Sequence, residues 1–373
     1  VSSDLVSSDL VSSNLVGSDL AASERLSPPL PASRAVRVAV ELPGSAARQA
    51  GSLHGVLRAL AADADLQVFL VGPLDEASVR AALTAGSVQG IAAAPLVIAD
   101  GAGAGARQIR AQRQAAPRLA AESLAAGTVD AVVGTSGYAV MTAALGFTSR
   151  PLSGATRPSL AALLHPGAFP GPVRVLTDTA PAQGPTGADE LVQAALGATA
   201  VVDALTAGPP APAVALLRLP PGSPDTGREQ AASLLTEVLG STVAISTAEA
   251  DELLSGTVAV GAADAVAAPS WLAGVAAGRA QTGATGPVVA ARLVLGFPGV
   301  AVLPEGDSAT ALATAIGTAT AAVRGGLPAS HQRSLAALRE QRRASAGLGG
   351  VTVASGAAPP MTAPLGTTIE EAR

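Results

Sequence analysis

Between Val36 and Val323, short apolar runs alternate with stretches whose apolar residues recur at helical spacing. A parallel sheet covered by helices on both faces satisfies that alternation, because its strands, buried on both sides, carry unbroken apolar runs. Strands are predicted at Val36 to Leu42, Leu66 to Val71, Leu96 to Ile98, Ala131 to Val133, Arg157 to Leu164, Val173 to Asp178, Val214 to Leu219, Val243 to Ser246, Val258 to Ala262 and Val300 to Leu303. Helices are predicted over Ala46 to Ala62, Glu76 to Thr84, the arginine-rich stretch after Gly105, Tyr138 to Leu145, Ala188 to Leu205, Gly227 to Leu239, Glu249 to Leu254, Trp271 to Ala277 and Ser308 to Val323. The expected class is α/β, a three-layer α/β/α arrangement with a mostly parallel sheet. Apolar residues reach 49% but aromatics only 2%, so the core must be built from Ala, Val and Leu.

The flanks differ. Residues 1–34 begin with a five-residue repeat, VSSDL, VSSDL, VSSNL, VGSDL, and continue into Pro28, Pro29 and Pro31. A period of five suits neither helix nor strand. This segment is expected to be a disordered extension or, more sharply, a docking tag. The α/β domain is expected over 35–325, closed by Gly325-Gly326. A basic helix from Ser330 to Arg343 and a Gly/Ala/Pro/Thr tail occupy 326–373.

Charge and composition remove several chemistries. A formal net charge of −5 lacks the basic footprint that nucleic-acid binding needs. No cysteine is present, which rules out disulfides and thiolates. All 23 basic residues are arginine, so a lysine Schiff base and a P-loop lysine are impossible. His54, His165 and His331 are too far apart in sequence for a zinc motif. No metal and no cofactor is expected. The run from Ala131 to Ser149 is broken by Gly134, Ser136 and Gly137, a poor membrane span, and weak or no membrane association is expected. The N-terminus shows no basic stretch followed by an apolar run, so no signal peptide is expected, and the expected location is the cytoplasm.

Two stretches carry candidate chemistry. In Asp130 to Met141, an apolar strand runs into Gly134-Thr135-Ser136-Gly137 and then a helix start. Free amides and the helix dipole at such a turn favour an anion. The two hydroxyls add donors for a phosphate or a carbonyl oxygen. The same residues also make an ordinary capped turn that binds nothing. The second stretch follows Gly101 to Gly105, where Arg107, Arg110, Arg113 and Arg118 cover one broad helix face. That face is either solvated or a basic wall against an anionic substrate or an acidic carrier protein.

Taken in order, these segments resemble the bacterial acyl-carrier-protein:phosphate acyltransferases of phospholipid synthesis (the PlsX type). Arg37-Val-Ala-Val-Glu41 resembles that family's opening strand, which ends in Asp. Gly134-Thr-Ser-Gly137 stands where the family has Gly-Asn-Thr-Gly, and Met141 to Ala143 follow as Met-Thr-Ala in both. Arg157-Pro-Ser-Leu-Ala161 resembles Arg-Pro-Ala-Leu-Ala. Leu191-Val192-Gln193, Glu249 to Leu254, Val300 to Leu303 and Ser308 to Ile316 keep register, and Asp264 stands at the family's Thr-Asp-Gly turn. The resemblance implies a fold like isocitrate dehydrogenase and phosphotransacetylase, and a homodimer. It also implies transfer of a fatty acyl group from acyl carrier protein to inorganic phosphate.

The departures fall on the loops. The family's Asp-Ala-Met-Gly-Gly-Asp is Glu41-Leu-Pro-Gly-Ser-Ala46, keeping Gly44 and one carboxylate. Arg-Arg-Lys-Lys-Asn-Ser-Ser is Arg110-Ala-Gln-Arg-Gln-Ala-Ala116. Asp-Val-Gly-Ala-Asn resembles Asp178-Thr-Ala-Pro-Ala182, and Asp-Gly-Phe-Thr-Gly-Asn is Asp264-Ala-Val-Ala-Ala-Pro269. A position that needs Gly for close backbone approach cannot take Ala or Pro unchanged.

Two readings follow. In an active acyltransferase with an altered site, Arg110 and Arg113 bind phosphate, and Gly134, Thr135, Ser136 and Gly137 orient phosphate or thioester. Glu41, Gly44, Asp178 and Asp264 then support them. In a catalytically silent relative, the fold serves as a dimeric binding or regulatory module in carrier-protein metabolism. A third reading is phosphotransacetylase action on a short acyl-CoA. A dehydrogenase is disfavoured, since the chain has no dinucleotide fingerprint followed by its acidic residue.

Overall fold

The computed structural model describes residues 34–42, 46–72, 91–93, 106–164, 173–177, 187–206, 213–218, 227–240, 245–249, 253, 260–262, 267–281 and 288–349. The expected extension over residues 1–34, the helix at 76–84 and the strand at 96–98 fall on residues outside this set, Arg34 apart.

Among the described residues, eleven strands form one sheet in the order β3-β2-β1-β4-β11-β10-β5-β6-β9-β7-β8. They are β1 (Val36–Glu41), β2 (Leu66–Val71), β3 (Ile91–Ala93), β4 (Ala131–Val133), β5 (Ser159–Leu164), β6 (Val175–Thr177), β7 (Val214–Arg218), β8 (Ile245–Glu249), β9 (Val260–Ala262), β10 (Val289–Leu295) and β11 (Val300–Pro304). Strands β3, β2, β1, β4 and β11 are parallel to one another. So are β6, β9, β7 and β8. Between these groups β10 is antiparallel to both β11 and β5, and β5 is antiparallel to β6. The two parallel groups therefore run in opposite directions, and their C-terminal ends lie at opposite ends of the sheet.

Eight helices are described: α1 (Ala46–Ala62), α2 (Ala106–Ala125), α3 (Tyr138–Thr148), α4 (Ala188–Leu205), α5 (Arg228–Leu239), α6 (Ala267–Gln281), α7 (Ala309–Arg324) and α8 (Leu327–Gly349). Alternate strand residues sort them into layers. Val36, Val38, Val40, Ala161, Leu163 and Leu293 pack with buried side chains of α1, α4, α5, α7 and α8 on one face. On the other, Ala39, Val132, Leu160 and Val294 meet α2 and α3, while Ala162, Leu164, Leu176 and Leu217 meet α6. This is a three-layer α/β/α fold with a mostly parallel sheet, as the alternation predicts.

Three local expectations change. Residues 289–295 form a central strand where none was expected. Arg292 interrupts the apolar run there and is satisfied from outside it, its Nε lying 2.7 Å from Glu305 Oε2. Glu249, expected to open a helical turn, closes β8 instead. The helix expected over 330–343 runs from Leu327 to Gly349 and buries Leu335 and Leu338.

One ion pair pins β1 to β4 at the end where both strands begin. Asp130, just before β4, accepts hydrogen bonds from Arg37 N at 2.9 Å, Nε at 3.2 Å and Nη2 at 2.9 Å. Burial alone would raise the Asp130 carboxyl, but the bonds from Arg37 outweigh it and hold it below the usual carboxylate range. The folded pKa is lowered, so the pair's stabilisation is present at neutral pH and lost as pH falls through the carboxylate range. Asp130→Ala is expected to lower stability by about 1–3 kcal/mol at pH 7, and by less in acid, measured by urea unfolding.

Candidate functional site

Parallel pairing of β1 with β4 sets Val40 beside Val133, so the two strands end together. Glu41 closes β1, and Gly134 leaves β4 next to it. The loop from 134 to 137 is anchored at both ends: Gly134 N donates to Val302 O at 2.9 Å, and Met141 N donates to Gly137 O at 3.1 Å to open α3. Gly134 leaves room for the flexible tip of Met141. A Cβ there would stand 2.2 Å from Met141 Cε and 3.5 Å from Glu41 Oε2. Gly137 has φ 86°, the left-handed range that glycine tolerates.

The loop donors converge on one side chain. Thr135 N and Ser136 N donate to Glu41 Oε2 at 2.9 and 3.1 Å. Ser136 Oγ donates to Glu41 Oε1 over a very short contact. Thr135 Oγ1 reaches the Glu41 carbonyl at 3.3 Å. Glu41 is 3% exposed. Burial raises its carboxyl above the ordinary range, while the bonds from Ser136 and Thr135 pull the other way. Thr135 and Ser136 themselves are half-buried, and Gly137 is exposed. Two successive amides on one oxygen make an anion seat, and Glu41, expected to be a supporting group, is its occupant.

The other candidates are placed as follows. Arg110 and Arg113 lie in the first half of α2, and their side chains are outside the described residues. A Cβ on Gly299 would lie 2.5 Å from Leu124 Cδ2, which sets the C-terminal turn of α2 at the foot of β11. The first turns of α2 therefore lie toward the end of the sheet that carries Glu41 and the loop. Gly44, Asp178 and Asp264 are outside the described residues. The strands preceding the two aspartates, β6 and β9, end at the opposite end of the sheet from the loop.

A second polar centre lies at the start of β5. Thr156, Arg157, Glu190, Gln193 and His331 line a small cavity there. Gln193 Oε1 accepts from Thr156 N at 2.8 Å and from its hydroxyl at 3.1 Å, and Arg157 Nε lies 3.3 Å from Glu190 Oε1. Arg157-Pro158 and Gln193 fall in segments of the family resemblance; that signal was present, but it gave no hint that the segments meet. Among the described residues no group of three His, Cys, Asp or Glu side chains could hold a metal ion. Nor is any helix among them long and apolar enough to cross a membrane.

No protein-family model matches the chain, and no curated protein matches it in sequence. Its structure is similar to that of a branched-chain phosphotransacylase from Enterococcus faecalis V583, at a TM-score of 0.52 and 14% identity, over 77% of this chain and 99% of that one. A phosphotransacetylase from Streptococcus pyogenes is similar at a TM-score of 0.51 and 14% identity, over 77% of this chain and 94% of that one. At that identity the likeness is one of fold: the chain folds as these phosphotransacylases do.

Proposed function

We propose that the chain moves an acyl group from a carrier thioester to inorganic phosphate, giving an acyl phosphate. The observation that carries this reading is the convergence of the Thr135 and Ser136 amides on a single oxygen. That geometry suits a phosphate oxygen or the oxyanion of a thioester under attack. In the transfer, a phosphate oxygen bonds to the acyl carbon, the carbon–sulfur bond breaks, and the thiol leaves with a proton. The reaction needs little beyond holding phosphate beside the carbonyl and stabilising the oxyanion. Arg110 and Arg113, toward the same end of the sheet, supply the positive charge in this reading. The fold shared with phosphotransacylases supports the reaction class. The family resemblance supports acyl carrier protein as the thioester carrier, and a homodimer as the working form.

A second reading has its own observation. Glu41 fills the seat, which favours a catalytically silent binding module. One assay separates them. The full chain is incubated with phosphate and acyl carrier proteins or acyl-CoAs of acetyl to long-chain length, and acyl phosphate is trapped with hydroxylamine. Hydroxamate is expected with long-chain acyl carrier protein. Arg110→Ala should lower the rate by about 100-fold or more, the usual scale for losing a group that stabilises developing charge. No hydroxamate from any donor would leave the silent module standing.

A further inference from the structure

We infer that Glu41 is a built-in anion that competes with phosphate for the 134–137 loop, and that its carboxylate must withdraw before the loop seats an external oxyanion. This inference rests on the reading of the loop as a phosphate seat.

Three observations carry it. The first is occupancy. Both amides and the Ser136 hydroxyl are committed to the two carboxylate oxygens of Glu41. A phosphate could not use the same donors without placing a second anion in contact with the first, an arrangement that Coulomb repulsion opposes. The second is burial with no counter-ion among the described residues. Glu41 is 3% exposed, and the described groups that bear on its carboxyl are the donors of Thr135 and Ser136, with no cation among them. A buried carboxylate is costly unless a specific environment receives it, and here that environment is the loop.

The third is independence. The loop is held by Gly134 N on Val302 O and by Met141 N on Gly137 O, neither of which involves the Glu41 side chain. Shortening residue 41 therefore leaves the amides in place. The loop itself lies near the surface, with Thr135 and Ser136 half-buried and Gly137 exposed. The ligand class is a tetrahedral oxyanion such as phosphate, because three donors are directed there from successive loop residues.

The test titrates the full chain with inorganic phosphate at constant ionic strength, by calorimetry and by thermal shift, with chloride as the control anion. Wild type, Glu41→Ala and Glu41→Gln are compared. Glu41→Ala is expected to bind phosphate at least tenfold more tightly than wild type. Glu41→Gln keeps an acceptor for the amides without the charge and should fall between them. Adding Ser136→Ala to Glu41→Ala should reduce the gain. Equal phosphate affinity in wild type and a folded Glu41→Ala would overturn the inference. If Glu41→Ala does not fold, Glu41→Gln decides, and affinity no better than wild type overturns it.

The hydroxylamine assay keeps the two proposals apart. Phosphate gained by Glu41→Ala with no acyl phosphate from any donor leaves the plug standing and removes acyl transfer. Acyl phosphate made by wild type, with no phosphate gained by Glu41→Ala, does the reverse.

Discussion

Gly325→Ala should destabilise the protein by about 3 kcal/mol, the upper end of what overpacking a rigid site costs. Gly325 follows α7 with φ −76°, a conformation open to any residue. What it lacks is room. A Cβ at 325 would stand 2.0 Å from Ala204 O and 2.6 Å from both Ala204 C and Cα. Those are backbone atoms in the last turn of α4, so no rotamer change relieves the clash. The two helices must separate, or Gly325 N must give up its bond to Ala321 O. Gly326 alongside has φ 68° and is the residue that takes the left-handed turn. Gly317 is the internal control. It sits on the exposed side of α7, and a Cβ there meets nothing within 4 Å. Gly317→Ala should therefore stabilise by about 0.5–1 kcal/mol through helix propensity. Urea unfolding of both variants checks the pair: a loss at 317 or a neutral result at 325 would contradict the packing described.

Where a segment's fate depended on its own residues, the sequence was sufficient. Ala188 to Leu205 reads as a helix and is one, and Ala131-Val132-Val133 reads as a doubly buried strand and is fully buried. The Gly325-Gly326 stop was also legible, although its cause, Ala204, lies in another helix. Strand β10 was not, because Arg292 breaks its apolar run and its pairing with β5 joins segments far apart in the chain, although its partner β11 follows directly. Missing β10 hides the reversal between the two parallel groups. A chain read as one continuous parallel sheet puts every strand end on one edge, which gathers Glu41, Gly134 to Gly137, Asp178 and Asp264 into a single site. With β10 in place, the strands leading to the two aspartates end on the other edge. The role of Glu41 was hidden for a related reason. Nothing local says that its side chain turns to the loop; the Val40–Val133 register does.

Acid should weaken this fold by about 3 kcal/mol through His331 alone. His331 is 4% exposed, where α8 packs on α4. Gly197 leaves the imidazole its place, since a Cβ there would lie 3.3 Å from His331 Nε2 and 2.8 Å from Leu295 Cδ1. Burial disfavours the imidazolium and lowers the His331 pKa to about 4, against 6.5 for the free side chain. The sign follows from which state holds the proton. Between pH 6.5 and about 4 the unfolded chain binds it and the folded chain does not, so each step down in pH favours unfolding. Stability is fully present above pH 6.5 and falls through that window, and the span of about 2.5 pH units corresponds to about 3 kcal/mol at 1.36 kcal/mol per unit. His331→Leu removes the titration while keeping an apolar body beside Leu295 and Leu335. Its urea midpoint should therefore change less than that of wild type between pH 7 and pH 4.5. Glu41, a buried carboxyl with a raised pKa, works in the opposite sense, since protonation in acid favours its folded form. Measuring wild type, His331→Leu and Glu41→Gln over the same pH range separates the two. Parallel curves for wild type and His331→Leu would show that His331 is not the group that carries the acid sensitivity.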